Sequence, residues 1–209
     1  MSIALADELL SPLGQRRNRP TFALADRVDG LAGKTVGLLD NSKQNAGAFL
    51  DEIEDILRSS GVGDVLRFRK PSAAMSAGGD LDVIKDRCDA LVNAFGDCGS
   101  CTSWCVHDSV DVELRGVPVA TINTSEFATL GHFEAGSLGL ASLPIVAIPH
   151  PVGSLDERAV RDYARAAFGD IVTVLTRGAD DTRTDYGSDA RGQGAADMSL
   201  DSEGCGCAI

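Results

Sequence analysis

Short apolar runs bounded by turn residues alternate along this chain with stretches of helical periodicity, and that alternation restricts the fold most. Lys34-Thr35-Val36-Gly37-Leu38-Leu39 is one such run, between Gly33 and Asp40-Asn41-Ser42. Asp64 to Phe68, Ala90 to Ala94, Val117 to Ile122, Leu143 to Ile148 and Ile171 to Leu175 read as further strands. Between the first two, Phe49, Leu50, Ile53, Ile56 and Leu57 lie on one stripe of a helix that stops at Gly61. Asp80 can cap a short helix carrying Leu81, Val83 and Ile84. Val106, Val110 and Leu114 mark one face of a third helix, ending near Gly116. Thr124-Ser125-Glu126 opens a fourth, with Phe127, Leu130 and Phe133 in rough register, and the capping box Ser154-Leu155-Asp156-Glu157 opens a fifth, reaching about Phe168.

Strands and helices alternating in this way build right-handed βαβ units on a parallel sheet. The expected fold is α/β, an open and mainly parallel sheet with helices on both faces, flavodoxin-like or Rossmann-like. One such domain would occupy residues 31–176, behind a lead-in at 1–30 that is poorly anchored or forms a short helix. From 177 to 209 apolar residues become scarce. Seven acids against three arginines leave that tail at −4. It buries too little apolar surface to offset its ordering entropy, so a flexible acidic tail ending in Cys205-Gly206-Cys207 is expected.

The whole chain carries a net charge of −12, which argues against a nucleic-acid or anionic-membrane partner. Its densest basic cluster, Arg16-Arg17-Asn18-Arg19, is short and isolated. No apolar run approaches the roughly 20 residues that span a bilayer, and Met1 to Leu13 lacks a basic leader segment, so a cytoplasmic location is expected. In that compartment six cysteines point to redox or metal chemistry rather than to a disulfide framework. Cys88, just ahead of a strand, reads as a small core residue.

The chemistry concentrates where the strand Ala90 to Ala94 hands over to the third helix, at Asp97-Cys98-Gly99-Ser100-Cys101. A helix start offers unpaired N–H groups and the positive end of a dipole, both of which favour a thiolate. Two residues between thiols let one attack a mixed disulfide formed on the other. Cys98 is therefore the expected nucleophile and Cys101 the resolving thiol. Asp97 either raises the neighbouring thiol's pKa or caps the helix.

Cys98, Cys101 and Cys105 lie within about 60° on a helix drawn at about 100° per residue, so a metal is possible there, although no cofactor is predicted. In a flavodoxin-like order the first and third strands are neighbours, which sets the loop Asp40 to Asn45 opposite the cysteines. Asp40, Asn41, Lys43, Thr124 and Ser125 are then candidate substrate contacts, with Lys43 suited to an anionic group. His150, between Pro149 and Pro151, and His107 are the candidate proton carriers. No glycine-rich phosphate motif is present.

Gly96-Asp97-Cys98-Gly99-Ser100-Cys101-Thr102-Ser103-Trp104, with Val106-His107-Asp108, resembles the signature of the UGSC family, whose name spells selenocysteine-Gly-Ser-Cys. Gly37 to Lys43 and Ile148 to Pro151 match as well, and the resemblance covers roughly residues 30–176. By position Cys98 stands where some members carry selenocysteine, which implies a nucleophilic or redox atom there. The family is similar to the selenoprotein subunits of glycine and proline reductases, which implies reductive chemistry without fixing a substrate. Cys105 and the Cys205/Cys207 tail are not carried over.

The first expectation is thus a thiol-dependent oxidoreductase that acts on a small molecule and is recycled by a thiol reductant, with a second subunit or homo-oligomer possible. A racemase, lyase or hydratase using cysteine for acid/base or nucleophilic work is the second, and a metal or thiol carrier the third. Cys205 and Cys207, on a coil reaching roughly 30 Å, are a possible redox shuttle to Cys98.

Overall fold

The computed structural model describes residues 20–177. The apolar runs form strands β1 (Thr35–Asp40), β2 (Asp64–Arg69), β3 (Ala90–Gly96), β4 (Val119–Thr124) and β5 (Ile145–Ile148). The periodic stretches form helices α1 (Ala46–Ser59), α2 (Asp80–Arg87), α3 (Gly99–Leu114), α4 (Ser125–Ser137) and α5 (Glu157–Arg177). The sheet is parallel in the order β2-β1-β3-β4-β5, so the expected flavodoxin-like arrangement is present. The order reverses between β1 and β3, whose carboxyl ends open onto one rim.

Burial follows position in the sheet. The central β3 buries all seven of its residues, whereas the edge strand β2 leaves Asp64, Arg67 and Arg69 facing outward or partly so. On one face Val36, Leu38, Val92, Ile122 and Val146 pack against α1 and α5. On the other, Leu39, Leu91 and Val119 meet Leu81 and Ile84 of α2 and Val112 of α3. Each large aliphatic side chain removed from water contributes about 1.5–3 kcal/mol. Val83, Leu114 and Phe133, expected on apolar stripes, are instead exposed, because α2 and α4 each bury only two residues and Leu114 is the last residue of α3.

Three expectations are corrected. Residues 171–175 are not a sixth strand but the last turns of α5. Ile171, Val174 and Leu175 continue the i, i+3, i+4 stripe begun by Val160, Ala164 and Ala167, and burial of that stripe overrides the β-branched composition. The hydroxyls of Thr173 and Thr176 bond the carbonyls of Gly169 and Val172 one turn back, which accommodates them in a helix. The cap of α5 is Asp156, whose Oδ1 accepts the Ala159 N–H at 2.9 Å, rather than Ser154.

The third correction concerns the described part of the lead-in, residues 20–33, which is an anchored strap rather than a loose one; residues 1–19 and the tail from 178 onward lie outside the described residues. Phe22 N–H bonds Gly139 O, Val28 N–H bonds Leu175 O, and Leu24 packs on the cluster of Val106, Val110 and Leu140. Buried Glu113 accepts from Ala25 N–H, from Arg27 Nη2 and from Val119 N–H, fastening strap, α3 and β4 at one point. No described helix is long and apolar enough to cross a membrane.

Candidate active site

Gly96 ends β3 with its α-carbon against Asn123 Oδ1 and Thr102 Oγ1; a Cβ there would meet Thr102 Oγ1 at 2.6 Å. Only glycine lets the strand end pass this close to β4 and α3. The chain then turns through Asp97 to Cys98, the extended residue preceding α3. Its carbonyl accepts Thr102 N–H at 3.0 Å and the Thr102 hydroxyl at 2.6 Å, which starts the helix. No acidic residue occupies the first turn of α3, so the positive end of its dipole is left for the thiol.

Cys98 is partly exposed and Cys101 buried, with their Sγ atoms 2.6 Å apart. Their acidities diverge. Burial pushes the Cys98 thiol up, but hydrogen bonds from the Cys101 side chain and N–H and from Ser100, with the Lys43 charge, outweigh it and hold the pKa below its ordinary value. Burial pushes Cys101 up to about 11, and its bond to Cys98 adds to that, against a smaller opposing bond from Asp97 N–H to its Sγ at 3.2 Å. With Cys98 ionised, the shared proton resides on Cys101.

His150 reaches the same rim from the β5–α5 connection, whose His150–Pro151 peptide is cis. Its Nδ1 lies 3.0 Å from Asp97 Oδ1 and 3.1 Å from Thr124 Oγ1. The Asp97 oxygen is an ion-pair contact off the ring N–H direction and makes no hydrogen bond of its own, although that side chain is only 7% exposed. Asp97 therefore neither caps α3 nor faces the thiols; its carboxylate is directed at the imidazole. Phe127 of α4 flanks the ring at a centroid distance of 5.7 Å.

Lys43 sits on the β1–α1 loop within electrostatic reach of both thiols and has no ion-pair partner among the described residues. Ser125 is exposed at the start of α4, and Thr124 is buried beside His150. Asp40 and Asn41 are not available in the same way. Asp40 Oδ1 accepts Ser42 N–H, while Asn41 Nδ2 donates to Phe95 O at 2.8 Å and its Oδ1 accepts Lys43 N–H. Both shape the loop that carries Lys43. Asn45, which the sequence did not single out, ties that loop to the His150 segment by donating to Val152 O and Leu155 O.

The structure does not bring His107 to the thiols. Its ring lies against Trp104, beside a pocket of about 290 Å³ also lined by Ser76, Asp111 and Leu138. Nine residues at about 1.5 Å rise place it roughly 13 Å along α3 from Cys98. Cys105 also points elsewhere: it is fully buried, its thiol faces Asn93 O, and burial raises its pKa far above the ordinary value. Among the described residues no three His, Cys, Asp or Glu side chains are grouped to hold a metal ion. Cys88 is buried and pushed to about 11 by that burial. Cys205 and Cys207 lie outside the described residues.

The UGSC family model matches residues 8–177. The chain belongs to the UGSC family. The match takes in the strap as well as the sheet domain, extending beyond the region marked out by the sequence motifs. No curated protein matches the chain. Among solved structures, the flavodoxin-like domain of a Synechococcus protein is similar at 12% identity and a TM-score of 0.40, covering 69% of this chain and 99% of that one.

Proposed function

We propose that this UGSC protein is a thiol-dependent oxidoreductase acting on a small molecule through Cys98 and Cys101. The observation that carries the reading is the 2.6 Å separation of two thiols with opposed acidities. An exposed low-pKa thiol is suited to attack, and a buried high-pKa thiol stays protonated until its turn comes. For a small disulfide R–S–S–R′ the Cys98 thiolate forms Cys98–S–S–R, and R′–S⁻ leaves with the proton of the His150 imidazolium. Neutral His150 then accepts the Cys101 proton. The Cys101 thiolate attacks the Cys98 sulfur, and R–S⁻ leaves and is protonated by His150. Two electrons pass to the substrate, and a thiol reductant, abundant in the cytoplasm, restores the dithiol. Lys43 and Ser125 are the candidate substrate contacts.

Asp97 and His150, paired on the rim that carries Cys98, also suit a redox-neutral cysteine enzyme, which is the second reading. Mass spectrometry after alkylation, with and without prior dithiol reductant, separates the two. Interconversion of Cys98 and Cys101 between two alkylated thiols and one unalkylated disulfide is expected during turnover. Turnover with both thiols always alkylatable would reject the oxidoreductase.

A further inference from the structure

His150 Nδ1 has two oxygen neighbours and one position for a proton. Thr124 Oγ1 lies 3.3 Å from Gly96 O, an atom that only accepts, and 3.1 Å from Nδ1, so its lone pairs are available to Nδ1 when its proton goes to Gly96 O. Asp97 Oδ1, the other neighbour, is a buried acceptor without a hydrogen bond. If Nδ1 lacked a proton, its electron-rich nitrogen would lie 3.0 Å from a buried carboxylate oxygen, an unfavourable contact even off the lone-pair direction. With a proton on Nδ1, both contacts become favourable.

We propose that Asp97 is a positioning residue that fixes His150 as the Nδ1–H tautomer, leaving Nε2 as the ring nitrogen free to exchange protons on the rim that carries Cys98. This rests on Cys98 being the nucleophile. The role is separate from thiol activation, because the contacts that lower the Cys98 pKa come from Cys101, Ser100 and Lys43. The hydrogen bond from Asp97 to the thiol pair comes from its backbone N–H, which no side-chain substitution removes.

The step that needs His150 is protonation of a departing thiolate. An alkyl thiolate is a poor leaving group that gains from a proton, whereas a nitrobenzoate thiolate leaves unaided. The test is therefore a comparison of bis(2-hydroxyethyl) disulfide with an aromatic nitrobenzoate disulfide on the full chain. Asp97→Asn should slow the first by about tenfold, short of the roughly 10²–10⁴-fold for loss of the proton donor itself because His150 remains, and leave the second within about twofold. The ¹⁵N spectrum of His150 should move from Nδ1–H in the wild type toward Nε2–H, because the carboxylate that disfavours an unprotonated Nδ1 is gone. Asp97→Glu should recover part of the alkyl-disulfide rate.

Equal slowing of both disulfides would mean a damaged loop and overturn the proposal. So would unchanged alkyl-disulfide exchange, or an Nε2–H wild type. The tautomer and the leaving-group ratio do not depend on whether Cys101 closes a disulfide. Absence of Cys98–Cys101 cycling would therefore defeat the proposed oxidoreductase and leave this result standing.

Discussion

Lys70 Nζ lies 2.6 Å from Asp108 Oδ2, and solvent reaches neither side chain. Asp108 Oδ1 also accepts from Ser76 Oγ and Ala77 N–H, both at 3.0 Å. The carboxylate thus fastens the end of β2 and the loop before α2 onto α3. Removing one partner leaves the other charge buried and alone, which costs about 3–5 kcal/mol. Asp108→Leu should lower stability by that amount in denaturant titration, and Lys70→Met combined with it should recover a large part. A single variant as stable as wild type would show that water reaches the pair.

At the thiol pair, Cys98→Ser should abolish turnover and thiol-specific labelling at this position. Stability should change by no more than about 0.5 kcal/mol, since the side chain sits partly exposed at an element junction. Retained turnover in this variant would remove Cys98 from the mechanism.

The acidities make a pH prediction. Cys98 is held below the ordinary thiol value of 9.0, and Cys101 is raised to about 11. Iodoacetamide should therefore modify Cys98 first, with a midpoint below pH 9, and reach Cys101 only as the pH approaches 11. The stability linkage has opposite signs. The Cys98 contribution is present above its unfolded pKa and is lost as pH falls through the folded value. The Cys101 contribution is complete below pH 9 and is lost as pH rises toward 11. Cys101→Ala removes the hydrogen bond that lowers Cys98, so its alkylation at neutral pH should slow several-fold.

Lys43 acts on both thiols through its charge. Lys43→Met should slow Cys98 alkylation at low ionic strength, and the difference should shrink as salt rises toward about 1 M, where the screening length is about 3 Å. A salt-independent difference would point to a direct contact instead.

The sheet order and the placement of the cysteines at a strand-to-helix junction were legible because periodicity and turn residues report local structure well. Ile171 to Leu175 misled for a definable reason: five mostly β-branched residues look alike in a buried strand and in the buried face of a long helix. The strap was missed because Ala25, Arg27 and Val28 are held by Glu113 and Leu175, contacts far apart in sequence. His150 could be singled out from its prolines, but its carboxylate partner could not. Asp97 is next to Cys98 in sequence, and adjacency suggested an effect on the thiol; the turn out of β3 directs the side chain at the β5 connection instead. Asp40 and Asn41 stood at the right strand end, yet the loop consumes their polar atoms.

Glu113 sets the smallest piece of this protein that can stand alone. A version beginning at Lys34 would keep the sheet, the helices and the rim residues. It would also remove Ala25 and Arg27 from a carboxylate whose side chain has no solvent exposure, leaving Val119 N–H as its remaining partner. An excised domain of that kind would hold a buried charge with nothing opposite it, at the junction where α3 meets β4. The folding unit therefore includes the strap, and dissection of the thiol site into a minimal fragment must keep residues from 20 onward.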